Sequence, residues 1–441
     1  MTASASTAAV PGATAPARHV TTREAAFIGV AAMVGAGIFS LLGAAGEVAG
    51  SAVWISFVLA GIIAALQGYS FGKLGARYTS AGGLLEYVNQ AFGLGHAATV
   101  TAWLTYSANV IVTAMVALSF GSYAADAFAN KNFVAAKILA IALVIVMTAL
   151  NIAGSTIVAK VQSVIVMIVV GILSLFAVVT ILNMDPARLA PSTYPPVRDI
   201  VSSVALTFFA FLGFGVVTFT AKDLRDPSRQ LPRAMAIAIG LAAIVYIAVS
   251  LGVFGTLSVE EVIAAGPTAI AVAAQPVLGQ AGYWLMLVTA LFATAGATNS
   301  GLYPATGVSD QLSSTGQFPT VMSRRIGERA PVGLLVAAVA VSVMVAFFDL
   351  SAIASIGSAV ALTIFGLVTI GHFQLRHETG ARVSLLALGL ATIAISLVTF
   401  VFTTLIKEPA SIVTLIAILV MSLALDVGWS RVRARHALAA A

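Results

Sequence analysis

Long apolar runs alternate with short polar or Gly/Pro-bearing breaks along almost the whole chain. A run of roughly 20 apolar residues is the length an α-helix needs to cross the hydrocarbon core of a bilayer. The pattern predicts helices near 24–50, 52–75, 97–124, 133–151, 156–182 and 199–221. A second set follows near 233–256, 282–312, 331–349, 351–374, 383–405 and 409–429. The runs Val164–Leu182 and Ala234–Gly255 are the clearest, and the divisions at Asp349–Ser351 and Lys407–Pro409 the least marked. The expectation is an all-α integral membrane protein with 12 transmembrane helices.

Composition agrees with that pattern. The chain is 60% hydrophobic and 9% charged, against about 25% charged in a soluble domain. It has no cysteine, which removes disulfides, a thiol nucleophile and zinc–thiolate sites. The net charge of +6 does not point to nucleic acid, because the basic residues lie in the loops between apolar runs. With the N-terminus inside, 17 of the 22 Lys and Arg fall in cytoplasmic segments; Lys131, Lys137, Arg188, Arg198 and Lys407 are the exceptions. That asymmetry predicts a multi-pass protein of the cytoplasmic membrane with both termini cytoplasmic. Residues 1–22 are Ala/Ser/Thr/Pro-rich, lack a signal-peptide pattern and read as a disordered cytoplasmic tail; 431–441 read as a basic one.

Two spans carry glycine where a membrane helix is normally unbroken. The first contains Val34-Gly35-Ala36-Gly37-Ile38-Phe39, and the sixth contains Phe208-Phe209-Ala210-Phe211-Leu212-Gly213-Phe214-Gly215. Glycine lets a backbone leave helical geometry and lets another group approach it closely. Half-helix ends then offer amides to a carboxylate and carbonyls to a cation. The other reading is close helix packing. Placement in spans one and six favours the ligand reading, because an inverted repeat of five helices puts one broken helix at the head of each half.

At these motifs the chain resembles the amino acid–polyamine–organocation superfamily of permeases, in its amino acid permease branch. Gly35 to Phe39 resembles its G-S/T-G-I-F segment, and Arg77-Tyr78-Thr79-Ser80-Ala81-Gly82-Gly83 with Tyr87 resembles its A-R-x-P-x-A-G-G-x-Y-x-Y loop. Phe208 to Phe214 followed by Lys222-Asp223-Leu224-Arg225-Asp226-Pro227-Ser228-Arg229-Gln230-Leu231-Pro232-Arg233-Ala234 resembles F-F-A-F-x-G-F and E-E-x-x-N-P-x-R-x-I/L-P-R-A. The resemblance implies a LeuT-like five-plus-five inverted-repeat core with discontinuous helices 1 and 6. The first repeat would span 23–182, the second 199–375, and two further helices 383–430. It implies that Ala36, Gly37 and Ile38 present backbone to a substrate carboxylate. Phe209, Ala210 and Leu212 would offer carbonyls to its amino group, and Phe211 or Phe214 would gate the site. Val34, Gly35, Gly213, Ser107 and Asn299 would line the pocket. The chain departs from the family at Ala36, where a hydroxyl is usual, at Gly215, where an acid is common, and at Val169, where proton-coupled members carry lysine. The end of span eight, Thr306 to Gly316, is also altered.

Ionisable groups near the membrane are functional candidates. Glu47, Glu86 and Asp310 are read as candidate coupling or gating groups, each with a simpler alternative. For Glu47 that is a solvated helix end, for Glu86 an ion pair with Lys73 or Arg77, and for Asp310 a pairing with Arg225 or Arg324. Trp103, Tyr106, Asn109, Thr298, Ser355, Ser358, Gln67 and Tyr69 line a pocket or bond neighbouring helices. The histidines His19, His96, His372, His377 and His436 fall in tails, loops or helix ends, in no metal-ligand pattern. An enzyme is disfavoured, as is a channel, and no cofactor or metal is expected. A carrier of a neutral amino acid, taken up with a proton, is the reading adopted, with a polyamine or cationic amino acid carrier of the same fold as the alternative. The partners expected are that small solute, the lipid bilayer and H+, with no nucleic acid.

Overall fold

The computed structural model describes residues 20–35, 37–80, 83–93, 95–153, 156–314, 316–326, 330–404, 406 and 411–424. The first span is two helices, α1 (Thr22–Val34) and α2 (Ile38–Ala49). Helix α1 starts at a capping box: Glu24 N–H donates to Thr21 Oγ1 at 3.2 Å, and Thr21 N–H donates to the Glu24 carboxylate at 2.8 Å. The cap at Thr21 and the start of α1 at Thr22 therefore fall within the 1–22 segment read as a tail. Then come α3 (Val53–Arg77), α4 (Leu84–Phe92), α5 (His96–Phe128), α6 (Phe133–Ala153) and α7 (Thr156–Leu182). The short α4 was not anticipated by the apolar pattern.

The sixth span is also discontinuous. Helix α8 (Val197–Phe209) stops at Ala210, and the chain continues over Leu212–Asp223 as a tighter 3₁₀ helix. Helix α9 (Pro227–Thr256) opens with Pro227, six residues before the predicted start at 233, and Pro232 lies inside the helix. The rest is α10 (Val259–Ala265), α11 (Ala269–Ser314), α12 (Val332–Phe347), α13 (Leu350–Thr379), α14 (Val383–Thr403) and α15 (Ser411–Ala424). Predicted span eight is longer than its apolar run, and a left-handed Gly279 (φ 66°) kinks it. The weak division at 349 is real: Asp349 Oδ1 accepts from Ala352 N–H at 2.8 Å and caps α13. A two-residue hairpin, β1 (Arg325–Ile326) with β2 (Ala330–Pro331), precedes α12.

Among the described residues nine helical stretches are long and apolar enough to cross a membrane, and Val332–Phe347 and Ser411–Ala424 are shorter apolar helices. The outer helices expose apolar side chains at helical repeats. Examples are Ile138 and Ile145 on α6, Leu175, Val178 and Leu182 on α7, Trp284, Val288 and Phe292 on α11, and Leu388, Ile395 and Phe402 on α14. A belt of this extent matches a hydrocarbon solvent and not water.

Two packing groups are evident inside that belt. Helices α1, α3, α8, α9 and the 212–223 helix pack on one another, and α5, α6, α11 and α12 form the second group. Helix α13 touches both, through α5 and through α3 and α8. A parallel bridge between Val20 and Leu224, with Val20 N–H donating to Asp223 O at 2.9 Å, ties the start of the first span to the end of the sixth.

Candidate functional site

The two interruptions meet. A Cβ built on Gly213 would lie 2.4 Å from the Ala32 carbonyl carbon and 2.5 Å from Met33 N. A Cβ on Gly37 would lie 2.6 Å from Ala210 Cβ and 2.8 Å from both Ala210 O and the Tyr246 hydroxyl. One on Gly35 would press Ala297 Cβ at 2.8 Å and Ala293 O at 3.0 Å, on α11. The glycines therefore bring backbone against backbone where the spans cross. Glycine packing and interrupted helices, weighed as alternatives on the sequence, coexist here.

Local hydrogen bonds set the ends. Gly37 N–H donates to Met33 O at 2.9 Å, while Ser40 and Leu41 N–H donate to Gly37 O, so α2 starts at its own N-terminus beside the break. The first amides of a helix have no partner within it, and they carry its positive dipole end. At the second break Ala210 N–H reaches Thr207 O and Phe211 N–H reaches Phe208 O, the tightening typical of a helix C-terminus. The Tyr246 hydroxyl donates to Ala210 O at 3.2 Å. Of the carbonyls expected to take an ammonium, that of Ala210 is therefore already in use.

Ala36 lies outside the described residues. Val34, Gly35, Gly37 and Ile38 are all buried at the break. Phe209 points at Gly357 of α13 and Ile111 of α5, towards the second packing group. Phe211 instead packs edge-on against Tyr246 at 5.1 Å, and Phe214 against Phe71 and Phe365 at 5.6 and 5.4 Å. Phe209 and Phe214 thus both reach α13, the helix that touches both groups. Leu212 and Gly213 are half-buried. Ser107 is half-buried on α5, whereas Asn299 accepts from Asn151 Nδ2 at 2.8 Å and joins α11 to α6. Asn109 similarly donates to Gly301 O, and Tyr106 to Gly333 O, both at 2.8 Å.

The ionisable candidates do not gather at the break. Glu47 is exposed. Glu86 accepts from Gln90 Nε2 at 2.7 Å and does not pair with Lys73 or Arg77; Arg77 instead stands 4.0 Å from Glu378. Tyr78 also donates to Glu378, and burial together with that carboxylate pushes its phenol up to about 12. Asp310 is half-buried and has no ion pair within 4.0 Å among the described residues. His372 is no helix-end residue: α13 runs on to Thr379, so its ring is fully buried, bonded to Ser70 Oγ at 2.7 Å and Thr379 Oγ1 at 2.9 Å. The sequence reading missed Asp126, whose side chain is 5% exposed. The signal was present as Ser119, Tyr123 and Asp126 at one-face helical spacing, but the predicted span stopped at 124.

An apolar belt around two packed helix groups, with two interrupted spans facing each other in the interior, defines a membrane transport protein. Comparison with known proteins narrows this. Residues 20–425 match the family model described as amino acid permease, and the chain belongs to that family. It is 31% identical over 398 residues to the inner membrane transport protein YbaT of Escherichia coli, covering 90% of this chain and 93% of that one. It is 32% identical to MJ0609 of Methanocaldococcus jannaschii over 81% of this chain and 83% of the other. With the branched-chain amino acid permease BcaP of Lactococcus lactis it shares 25% identity over 82% of each.

Proposed function

We propose that the chain is a secondary active transporter that moves a neutral amino acid across the cytoplasmic membrane with a proton, by alternating access. The observation that carries this reading is the crossing of the two interruptions, Gly37 on Ala210 and Gly213 on Ala32 and Met33. The α2 N-terminus offers dipole and amides to a carboxylate, and the α8 C-terminus, through the Phe209 carbonyl, offers an acceptor to an ammonium. A zwitterion matches both ends at once. No carboxylate side chain is described at the crossing, which disfavours a polyamine or a cationic amino acid. The name of the BcaP relative points the same way, whereas that of cationic amino acid transporter 2 of Arabidopsis thaliana, 28% identical over 82% of this chain, points to the cationic alternative, so the lack of a described carboxylate decides the reading.

The twelve-span, five-plus-five architecture is part of the proposal. The first packing group takes the leading spans of each half, and the second takes α5 and α6 with α11 and α12. An inverted repeat predicts that division, and rocking one group against the other is its simplest motion. The distribution of Lys and Arg supports cytoplasmic termini.

The test is uptake into proteoliposomes of neutral, cationic and anionic amino acids and polyamines, with imposed pH or sodium gradients. The expected result is saturable, proton-driven uptake of neutral amino acids, with counterflow of labelled solute. Movement of only cations or polyamines would overturn the substrate class, and flux without counterflow would overturn the carrier reading.

A further inference from the structure

Asp126 stands in the last turn of α5, with its side chain 5% exposed. Its Oδ1 lies 3.8 Å from Lys131 Nζ, and its Oδ2 has no hydrogen-bond partner. The Tyr123 hydroxyl, fully buried on the same face, is also without a partner, and so is Ser119 Oγ a turn further in. Across from them, Phe39 of α2 meets the Tyr123 ring edge-on at 6.1 Å, and the neighbouring Ser40 Oγ is buried and unpartnered as well. Ser40 is bonded through its amide to Gly37 O, at the first interruption. A series of unsatisfied polar atoms thus runs from Asp126 along α5 and α2 towards the crossing.

Each buried polar atom left without a partner costs about 1–3 kcal/mol, so four along one seam are a poor way to pack a core. They suit a route that takes a polar guest. The geometry around Asp126 identifies the guest as a proton. Asn130 and Lys131 form a left-handed turn (φ 49° and 60°), closed by Lys131 N–H donating to Ala125 O at 3.1 Å. That turn fixes the lysine backbone, yet its side chain is 57% exposed, so the ammonium is a loosely held counter-ion. The titratable groups that face the carboxylate are Lys131 from this turn, Tyr123 on its own helix and Tyr283 from α11. Helix α6 sends its lysine, Lys137, to Ala346 O instead; α2 contributes Phe39 and Ser40, its one carboxylate, Glu47, being exposed; Asp349 caps α13; and the Gly266–Thr268 turn has no titratable side chain.

We propose that Asp126 is a proton-binding site for transport, with Lys131 and the proton competing for one carboxylate. In one state the carboxylate is ionised and paired with Lys131. In the other a proton from bulk water forms an O–H bond at Oδ2, and the lysine is released to solvent. The neutral acid then supplies the seam with a donor, and the same bond breaks to return the proton to water. This rests on the transporter reading for its meaning in coupling, but not for the protonation itself.

Two measurements separate those levels. Infrared difference spectra of the purified full chain, taken as pH falls, should show a carboxyl band that Asp126→Asn removes. Lys131→Ala should move that band's midpoint to higher pH by a few tenths of a unit, because a carboxyl without its neighbouring cation holds its proton more tightly, and a solvent-exposed cation contributes modestly. In proteoliposomes with labelled L-leucine, Asp126→Asn should lose pH-gradient-driven accumulation while keeping exchange counterflow. A band that survives Asp126→Asn, or a midpoint that Lys131→Ala leaves in place, overturns the proposal. So does a pair of variants that only lower the melting temperature and leave the pH profile alone. Absence of counterflow in the wild type would refute the transporter reading and leave the infrared result to decide the proton site.

Discussion

The interruption of the first span and that of the sixth solve the same problem differently. The first lasts from Gly35 to Gly37 and resumes as a regular α-helix, α2. The second never recovers α geometry before Asp223. The first is a contact surface of small groups, whereas the second is braced from outside by Tyr246 on the Ala210 carbonyl and by the packing of Phe211 and Phe214. A helix that resumes regenerates a dipole end at the break, while a tight 3₁₀ run of 12 residues keeps poorer hydrogen-bond geometry over about four turns. The first break therefore leaves a helix start facing the crossing, and the second a braced run that leaves none.

That contrast can be broken most forcefully at Gly213. An alanine there meets Ala32 and Met33 backbone at 2.4–2.7 Å, which no side-chain adjustment relieves. Gly213→Ala should cost about 3 kcal/mol, at the upper end of overpacking effects, and abolish uptake; thermal unfolding in detergent and transport read the two separately. Tyr246→Phe should be milder. It removes the donor to Ala210 O and should cost about 1 kcal/mol, with a several-fold loss of transport at retained expression. If that variant transports as the wild type does, the second break does not depend on its brace. Gly215→Ala should do least, within about 0.5 kcal/mol of wild type, since a Cβ there meets nothing within 4 Å. A severe Gly215 phenotype would show that the region needs glycine's backbone freedom and not merely space.

Much of this was legible in the sequence because it depends on residues with little choice. Gly35, Gly37 and Gly213 mark both breaks, and the apolar runs mark the helices that carry a lipid-facing side. What escaped depends on pairings across the fold. The α4 helix is short and amphipathic, so it leaves no run of span length. Glu86 was matched to Lys73 or Arg77, but Gln90 lies one turn along its own helix, within reach. Hydropathy placed the end of the third span at 124 because Asp126 is charged, although the helix continues to Phe128 and keeps that carboxylate inside. The contacts of Phe209, Phe211 and Phe214 were likewise undecidable from spacing, since they depend on packing against α9, α3 and α13.

The loop after α11 has an optical consequence. Phe318 lies fully buried against Trp103 of α5, ring centroids 3.8 Å apart and planes within 23°, while the neighbouring Gln317 donates to Asn89 of α4 at 2.8 Å. Of the four tryptophans, Trp284 faces lipid, Trp54 is bonded to Tyr194, and Trp429 lies outside the described residues. Trp103 is the one whose indole is covered by a loop residue between the two helix groups' connecting segments. Departure of that loop would uncover the ring and shift its emission, so the chain carries an intrinsic fluorophore that reports the contact between Phe318 and α5.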